Sequence, residues 1–193
     1  MKKYKDKKRD YFIYGINNSY ELLQSKKNII ISIFLLKNSR AYKEEKIKNN
    51  IKNFKNKLVI LEKNDFNQKF QSIRSQGIVI HFIFSYKTLP SKFLNKNTCL
   101  LIPEEIEDPQ NLGQIIRTSE CAGIDGILIS KHRNVGITSS VLQVSQGAFL
   151  NFPIYSIGNI NQTLLMLKKE GFWIIGVENS VDASDWHSID YSG

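Results

Sequence analysis

DPQNLGQIIRTSECAG, residues 108–123, opens a helix after a short apolar run and sets an arginine among apolar residues. Asp108 is a helix cap, and Pro109 suits the first turn because no hydrogen-bonding amide is lost there. Leu112, Ile115, Ile116 and Ser119 fall on one stripe that can face a sheet, while Gly113 and Arg117, four apart, share another face. A glycine inside a helix costs about 1 kcal/mol relative to alanine, so its presence suggests that something approaches the backbone closely. Arg117 lies beside that gap. The bland alternative is a surface arginine whose stem lies over apolar neighbours.

Outward from this helix the second half alternates strand and helix. CLLIP (99–103), GILIS (126–130), PIYSI (153–157) and FWIIGVE (172–178) read as strands. Between them lie the 108–123 helix, TSSVLQVSQGAF and NQTLLMLKKE. Such alternation predicts a parallel sheet with crossover helices. The first half reads as a smaller α/β unit of about 80 residues. Its strands are NIIISIFLL (28–36), LVIL (58–61) and GIVIHFIF (77–84), and one helix is expected near Ser19–Ser25. A lysine-rich helix is expected over Tyr42–Asn56, where Ile47, Ile51 and Phe54 recur at helical spacing. Residues 1–10 are charged and aperiodic and are expected to be disordered. YKTLPSKFLNKNT (86–98) has few apolar residues and carries Pro90, and reads as a linker. The domain reading is therefore 11–85, a linker at 86–98, and 99–193.

Charge divides along the same line. Residues 1–97 hold 22 Lys+Arg against 7 Asp+Glu, or +15, and residues 98–193 hold 5 against 11, or −6, for a net +9. A polyanion partner for the first half follows, with nucleic acid the leading candidate. An Asn/Lys/Ile-rich composition accounts for part of the excess. With 41% hydrophobic residues and no apolar run near the roughly 20 needed for a membrane span, no membrane association is expected. MKKYKDKKRD has a basic flank but no apolar core or cleavage site behind it, which points to the cytoplasm. Cys99 and Cys121 read as buried free thiols. The three histidines and two cysteines lack ligand spacing, so no metal is expected. Ser145 in VSQGA lacks the glycine of a nucleophile elbow and no Asp/His set accompanies it. His81, within an apolar strand, reads as a core histidine.

The order of residues in 108–123 resembles the first signature motif of the SpoU/TrmH branch of the SPOUT RNA methyltransferases, through Asp108, Pro109, Asn111, Gly113, Arg117, Thr118 and Gly123. VLQVSQGAFLNFPIY (141–155) is similar to that family's Ser-x-Gly-Ala helix and following strand. YGINNSYELLQSKKNIIISIFLL (14–36) and RSQGIVIHF (74–82) are similar to the ends of the small ribosomal-protein-like substrate domain of 23S rRNA guanosine 2′-O-methyltransferases. The resemblance implies an α/β fold with an RNA substrate domain and a parallel-sheet α/β-knot methyltransferase domain. It implies methyl transfer from S-adenosylmethionine to a ribose 2′-hydroxyl of rRNA, by a homodimer. It assigns catalytic roles to Arg117 and Asn111. A guanidinium is a permanent cation and a poor base, so Arg117 is expected to hold phosphate and hydroxyl in line.

Arg74 and Gln76, before the strand at 77, and His132 and Arg133, after GILIS at the carboxyl edge of the sheet, are the further RNA-contact candidates. The family usually has histidine where Ser75 stands, and Gln76-Gly77 also reads simply as a tight turn. The family's cofactor-binding motifs, a Gly-x-Glu strand end and a Ser-Leu-Asn segment, are expected beyond Gly193, so the domain reads as truncated before the knot. The alternatives are an RNA-binding protein without catalysis and a tRNA 2′-O-methyltransferase. A dinucleotide-binding domain is remote, because no G-x-G-x-x-G follows a strand.

Overall fold

The structure, a computed structural model, describes residues 9–25, 29–71, 74–90, 92–93, 97–179 and 181–190. It divides into two compact units, Met1–Asn159 and Ile160–Gly193. Both sheets belong to the first.

The first sheet has the order β1-β4-β2-β3. Its strands are β1 (Arg9–Tyr14), β2 (Ile30–Leu36), β3 (Leu58–Leu61) and β4 (Ile78–Phe84). β4 runs antiparallel to both β1 and β2, and β2 is parallel to β3. Side chains alternate across the pleat, so Tyr11, Ile13, Ile33, Ile80 and Phe82 are buried while Phe12 faces outward. Residues 1–10 were expected to be disordered. Arg9 and Asp10 instead begin β1, paired with Phe84 and Ile83, and the rest of that segment lies outside the described residues. The strand escapes a periodicity reading because only Tyr11 and Ile13 signal an inner face before Gly15 turns the chain.

Helix α1 (Ile16–Gln24) buries Ile16, Leu22 and Leu23. The lysine-rich stretch is not one helix. It breaks into α2 (Arg40–Lys43), α3 (Glu45–Ile51) and a 3-10 segment, Lys52–Lys57, because Glu44 is extended with ψ 119°. Ile47 and Ile51 still point inward, as their spacing predicted. Helix α4 (Lys63–Lys69) buries Phe66.

The second sheet, order β5-β6-β7, is wholly parallel: β5 (Leu100–Leu101), β6 (Gly126–Ser130) and β7 (Ile154–Ile157). All five residues of β6 are buried, as a central parallel strand covered on both faces requires. Helix α5 (Pro109–Cys121) follows β5, and α6 (Ser139–Val144) follows β6. The first residues of the stretch read as a linker, 86–98, are tied down by hydrogen bonds. The Tyr86 hydroxyl accepts from Ile137 N at 3.0 Å, and Lys87 N donates to Ile154 O at 2.8 Å beside β7.

The free edge of β1 is closed by α6. Phe12 N donates to Ser139 Oγ (3.1 Å), and the Gln143 carboxamide both accepts from Tyr14 N (3.0 Å) and donates to Tyr14 O (2.9 Å). Asn18 Nδ2 donates to Gln143 O (3.1 Å), and Tyr11 OH to Ile137 O (3.2 Å). An edge strand presents unpaired backbone groups, and here a helix's side chains satisfy them in place of a further strand.

In the second unit, α7 (Ile160–Lys169) is followed by residues 172–178, which were expected to form a strand. No strand forms there among the described residues, and Val177 is 92% exposed. An apolar run reads as a strand from composition, but a ladder needs a hydrogen-bonded neighbour, and the described residues supply none.

Candidate functional site

The 108–123 stretch folds as its residues dictate. Asp108 Oδ1 accepts from Gln110 N at 2.8 Å, capping α5, and Pro109 occupies the first turn. At the other end Gly123 has φ +76°, Ile124 N donates to Ser119 O (3.0 Å) and Gly123 N to Glu120 O (3.2 Å). That is the glycine-terminated helix end in which only a residue without Cβ adopts the left-handed conformation freely. Leu112, Ile116 and Ser119 are buried.

Gly113 is buried, and its gap is filled by protein. A Cβ there would lie 2.6 Å from Val144 Cβ and 2.9 Å from Val141 O. The close approach that the glycine signals is therefore the crossing of α5 over α6, and the space beside Arg117 is not an open cleft at Gly113. On the exposed side Gln110, Gln114, Arg117 and Cys121 form one stripe. Asn111 and Arg117 are both exposed, and neither side chain has a hydrogen bond or ion pair to another described residue. Six residues apart, they stand about 9 Å apart along the axis and about 120° around it. They border the exposed face from opposite sides. Cys121 lies on this solvent stripe and Cys99 ahead of β5, so both thiols are exposed, contrary to the expectation of burial.

The loops leaving β5 and β6 are stitched together. Asn134 Oδ1 accepts from Ile106 N (2.8 Å), its Nδ2 donates to Pro103 O (3.3 Å), and Val135 N donates to Ile106 O (2.7 Å). Arg133 pairs with Glu105 at 2.9 Å, both largely exposed, and the backbone of Arg133 has φ +57°. Such an exposed pair is worth at most about 1 kcal/mol, so the guanidinium can change partner at little cost. His132 is exposed next to it, its amide donating to Ser130 Oγ.

Arg74 is exposed. Gln76 has a structural part: its Oε1 accepts from Ile16 N at 2.8 Å, satisfying the first amide of α1, where Gly15 offers no side-chain cap. Gln76 (φ +54°) and Gly77 (φ +89°) make the tight turn into β4, closed by Ile78 N to Ser75 O at 3.1 Å. A Cβ on Gly77 would sit 2.2 Å from Ser39. These three groups of candidates, at Asn111/Arg117, at His132/Arg133 and at Arg74/Gln76, have no contact with one another among those the structure gives. Sequence reasoning missed Gln143, Ser139 and Asn134. Their signal is weak, being polar side chains on or beside amphipathic elements, the usual position of solvated residues.

The resemblance implies S-adenosylmethionine, whose pocket must take an adenine, a sulfonium cation and a charged amino-acid end. A cavity of about 350 Å³ between the end of β4 and the turn before β7 does not meet those needs. Its walls are chiefly Ile29, Ile83, Phe84, Phe149, Phe152 and Ile154, with no carboxylate to meet a cation. No cluster of three or more His, Cys, Asp or Glu able to hold a metal occurs among the described residues, and no helix there is long and apolar enough to cross a membrane.

A two-layered class is defined by this fold: a mixed sheet joined to a parallel α/β sheet whose first crossover helix carries the exposed Asn111 and Arg117. Two family models match. That of the RNA 2′-O ribose methyltransferase substrate-binding domain covers residues 12–86, and that of the SpoU rRNA methylase family covers residues 98–193. The chain belongs to the SpoU/TrmH family of RNA 2′-O-methyltransferases.

Among curated relatives, 23S rRNA (guanosine-2′-O-)-methyltransferase RlmB of Shewanella oneidensis is 29% identical over 182 residues, 91% of this chain and 73% of that protein. A Staphylococcus saprophyticus protein named for the TrmH family of tRNA/rRNA methyltransferases is 37% identical over 99 residues, 51% of this chain. The chain spans 39% of that relative's length. The fold is shared with an AdoMet-bound rRNA methyltransferase from Sinorhizobium meliloti (TM-score 0.69, 18% identity, 95% of this chain and 67% of that one). It is shared also with the SpoU methyltransferase AviRb from Streptomyces viridochromogenes (TM-score 0.68, 10% identity, 84% and 60%).

Proposed function

We propose that these residues grip RNA and present a ribose 2′-hydroxyl in an S-adenosylmethionine-dependent RNA methyltransferase acting in the cytoplasm as a homodimer, with a guanosine of 23S rRNA as the target. Residues 11–85 hold the RNA, 86–98 join the halves, and 99–193 carry Asn111 and Arg117. The single observation that carries the reading is the state of Arg117: a cation on a capped, well-anchored helix, exposed and with no partner among the described residues. A guanidinium offers a planar fork of donors, suited to a phosphate and to the hydroxyl beside it. Holding both in line gains rate through orientation, without Arg117 having to accept a proton. Only RNA has that hydroxyl. Asn111, across the same exposed face, offers both a donor and an acceptor to the substrate.

Methylation assays with S-adenosylmethionine on 23S rRNA and on bulk tRNA, followed by mapping of the alkali-resistant linkage, test the reading. A 2′-O-methylguanosine in 23S rRNA is the expected product, and product confined to tRNA would transfer the reading to tRNA. A second reading, RNA binding without catalysis, is suggested by the apolar walls of the cavity beside β4, which offer nothing to a sulfonium cation. Calorimetric binding of S-adenosylmethionine to the 193 residues would remove it.

A further inference from the structure

Phe12 on β1 and His81 on β4 stand directly opposite in the antiparallel register. Their rings stack, with centroids 4.6 Å apart and planes 13° from parallel. The contacts on the inner face of the same sheet are different in kind. Tyr11, Phe82, Phe84 and Phe149 meet there tilted or edge-on, as rings do when they fill a core. The flat pair is on the outer face, and Phe12 is 39% exposed. Asp10, two residues earlier on the same face, lies 3.3 Å from His81 Nε2 and fixes the imidazole's orientation. A cross-strand aromatic pair adds to sheet stability, but that alone does not require an open phenyl face.

The surroundings of the pair specify its occupant. Phe12 N is bonded to Ser139 Oγ at the start of α6, and the adjacent Ser140 Oγ is 3.5 Å from Gln110 Nε2 on α5. Gln110 and Arg117, seven residues apart, lie on one stripe of that helix, about 10 Å from each other along its axis. Polar contacts therefore run from β1 at the stacked rings to Gln110, on the helix that carries the candidate catalytic arginine. The ten residues that end at Asp10 hold six Lys+Arg against two Asp, so the chain leading into the pair is basic. A flat aromatic pair with a half-exposed phenyl, close in sequence to a run of cations, suits an unstacked base. Every base has a π-face, and the backbone it hangs from needs cations.

We infer that Phe12, stacked on His81, is a base-stacking subsite for single-stranded RNA, taking a nucleobase of the strand whose target ribose Arg117 receives. The inference rests on the proposed RNA reading and adds to it a site outside the methylase half. It also gives β1 a second use: its edge is bound by α6 and its outer ring is open to the ligand.

The test uses a short unstructured RNA oligonucleotide carrying 2-aminopurine, and a matching one with an abasic site at that position. With the unsubstituted chain, binding should quench the 2-aminopurine emission. Phe12→Leu, which keeps an apolar side chain on a half-open position, should abolish the quench and weaken binding about tenfold, within the range of one base–aromatic stack. Phe12→Trp should restore both. On the abasic RNA all three proteins should bind alike. Circular dichroism melts of each protein verify the fold. Quenching and affinity unchanged in Phe12→Leu, or a loss that persists on the abasic RNA, would overturn the subsite while leaving the RNA reading intact. No binding of either RNA by the unsubstituted chain at low salt would overturn the RNA reading itself.

Discussion

Gln143 holds both backbone polar groups of Tyr14, accepting from its N–H at 3.0 Å and donating to its carbonyl at 2.9 Å. One carboxamide thus does for the β1 edge what a neighbouring strand would do. Its neighbour Val144 fills the space over Gly113 on α5. A helix of six residues is therefore fixed on one side to the first sheet and on the other to the helix that carries Arg117.

Replacement of Gln143 by alanine leaves two half-buried backbone groups without partners. Each such group costs about 1–3 kcal/mol, tempered here by access to water. A loss of about 2 kcal/mol in unfolding free energy is expected, measured by urea denaturation. The exchange protection of the Tyr14 amide should fall while that of Ile80, paired within the sheet, persists. Unchanged protection at Tyr14 would show that the clamp is not formed.

Gly113→Ala sets two effects against each other. Helix propensity favours alanine by about 1 kcal/mol. The new methyl would sit 2.6 Å from Val144 Cβ and 2.9 Å from a backbone carbonyl, and overpacking of that kind costs about 1–3 kcal/mol. The clash should win, lowering the melting temperature, and Val144→Ala in the same chain should recover much of the loss. A stabilised single variant would mean that α5 and α6 stand further apart.

Tyr11 supplies a pH dependence. Burial pushes its phenol above the ordinary value of 10.0, with Arg9 opposing more weakly, and its hydroxyl donates to Ile137 O. The raised value means that the folded state keeps the proton after the unfolded state has begun to lose it. The contribution is whole below about pH 10 and declines as pH rises through the folded value. Denaturation curves between pH 8 and 11 should show Tyr11→Phe losing less stability than the parent over that range. Parallel curves would contradict the assignment.

Lys43, Lys52 and Lys55 are exposed around α3, with Lys52 donating to Asn49 Oδ1 at 3.1 Å, whereas Lys46 is half-buried, held by Asn17 Oδ1 at 3.0 Å over the Tyr20 ring. If the three exposed lysines each neutralise a phosphate, their joint replacement by alanine should reduce the slope of log affinity against log salt by about 2 for single-stranded RNA. A slope that is flat in the parent protein rejects this surface.

The legible part of the molecule was that set by local rules. The Asp108 cap, Pro109 in the first turn, the inward stripe of Leu112 and Ile116, and the Gly123 helix end all follow from interactions within a few residues. β6 was legible for a different reason, since five consecutive buried residues have no polar face to obscure the pattern. What escaped depends on contacts distant in sequence. Gly113 announced a close approach, but that Val144 makes it, some thirty positions on, is a tertiary fact. Gln143 and Ser139 resemble solvated helix residues until β1 is set beside them. The apolar run at 172–178 reads as a strand because periodicity says nothing of a hydrogen-bonding neighbour. Phe12 passed unnoticed because an aromatic ring in a strand normally faces the core, and only the register against His81 puts it outside.

The central claim is that Arg117 places the ribose hydroxyl and contributes little to holding the RNA or the fold. The direct measurement compares the intact protein with its Arg117→Ala variant in single-turnover methylation of 23S rRNA, alongside filter-binding affinity for the same RNA. Arg117 is exposed, so the substitution should change stability by less than about 0.5 kcal/mol. The account predicts a methylation rate reduced at least about a hundredfold, the scale on which misplaced reacting groups lose rate, with affinity kept within about threefold. A rate that survives, or rate and affinity falling by the same factor, would contradict it.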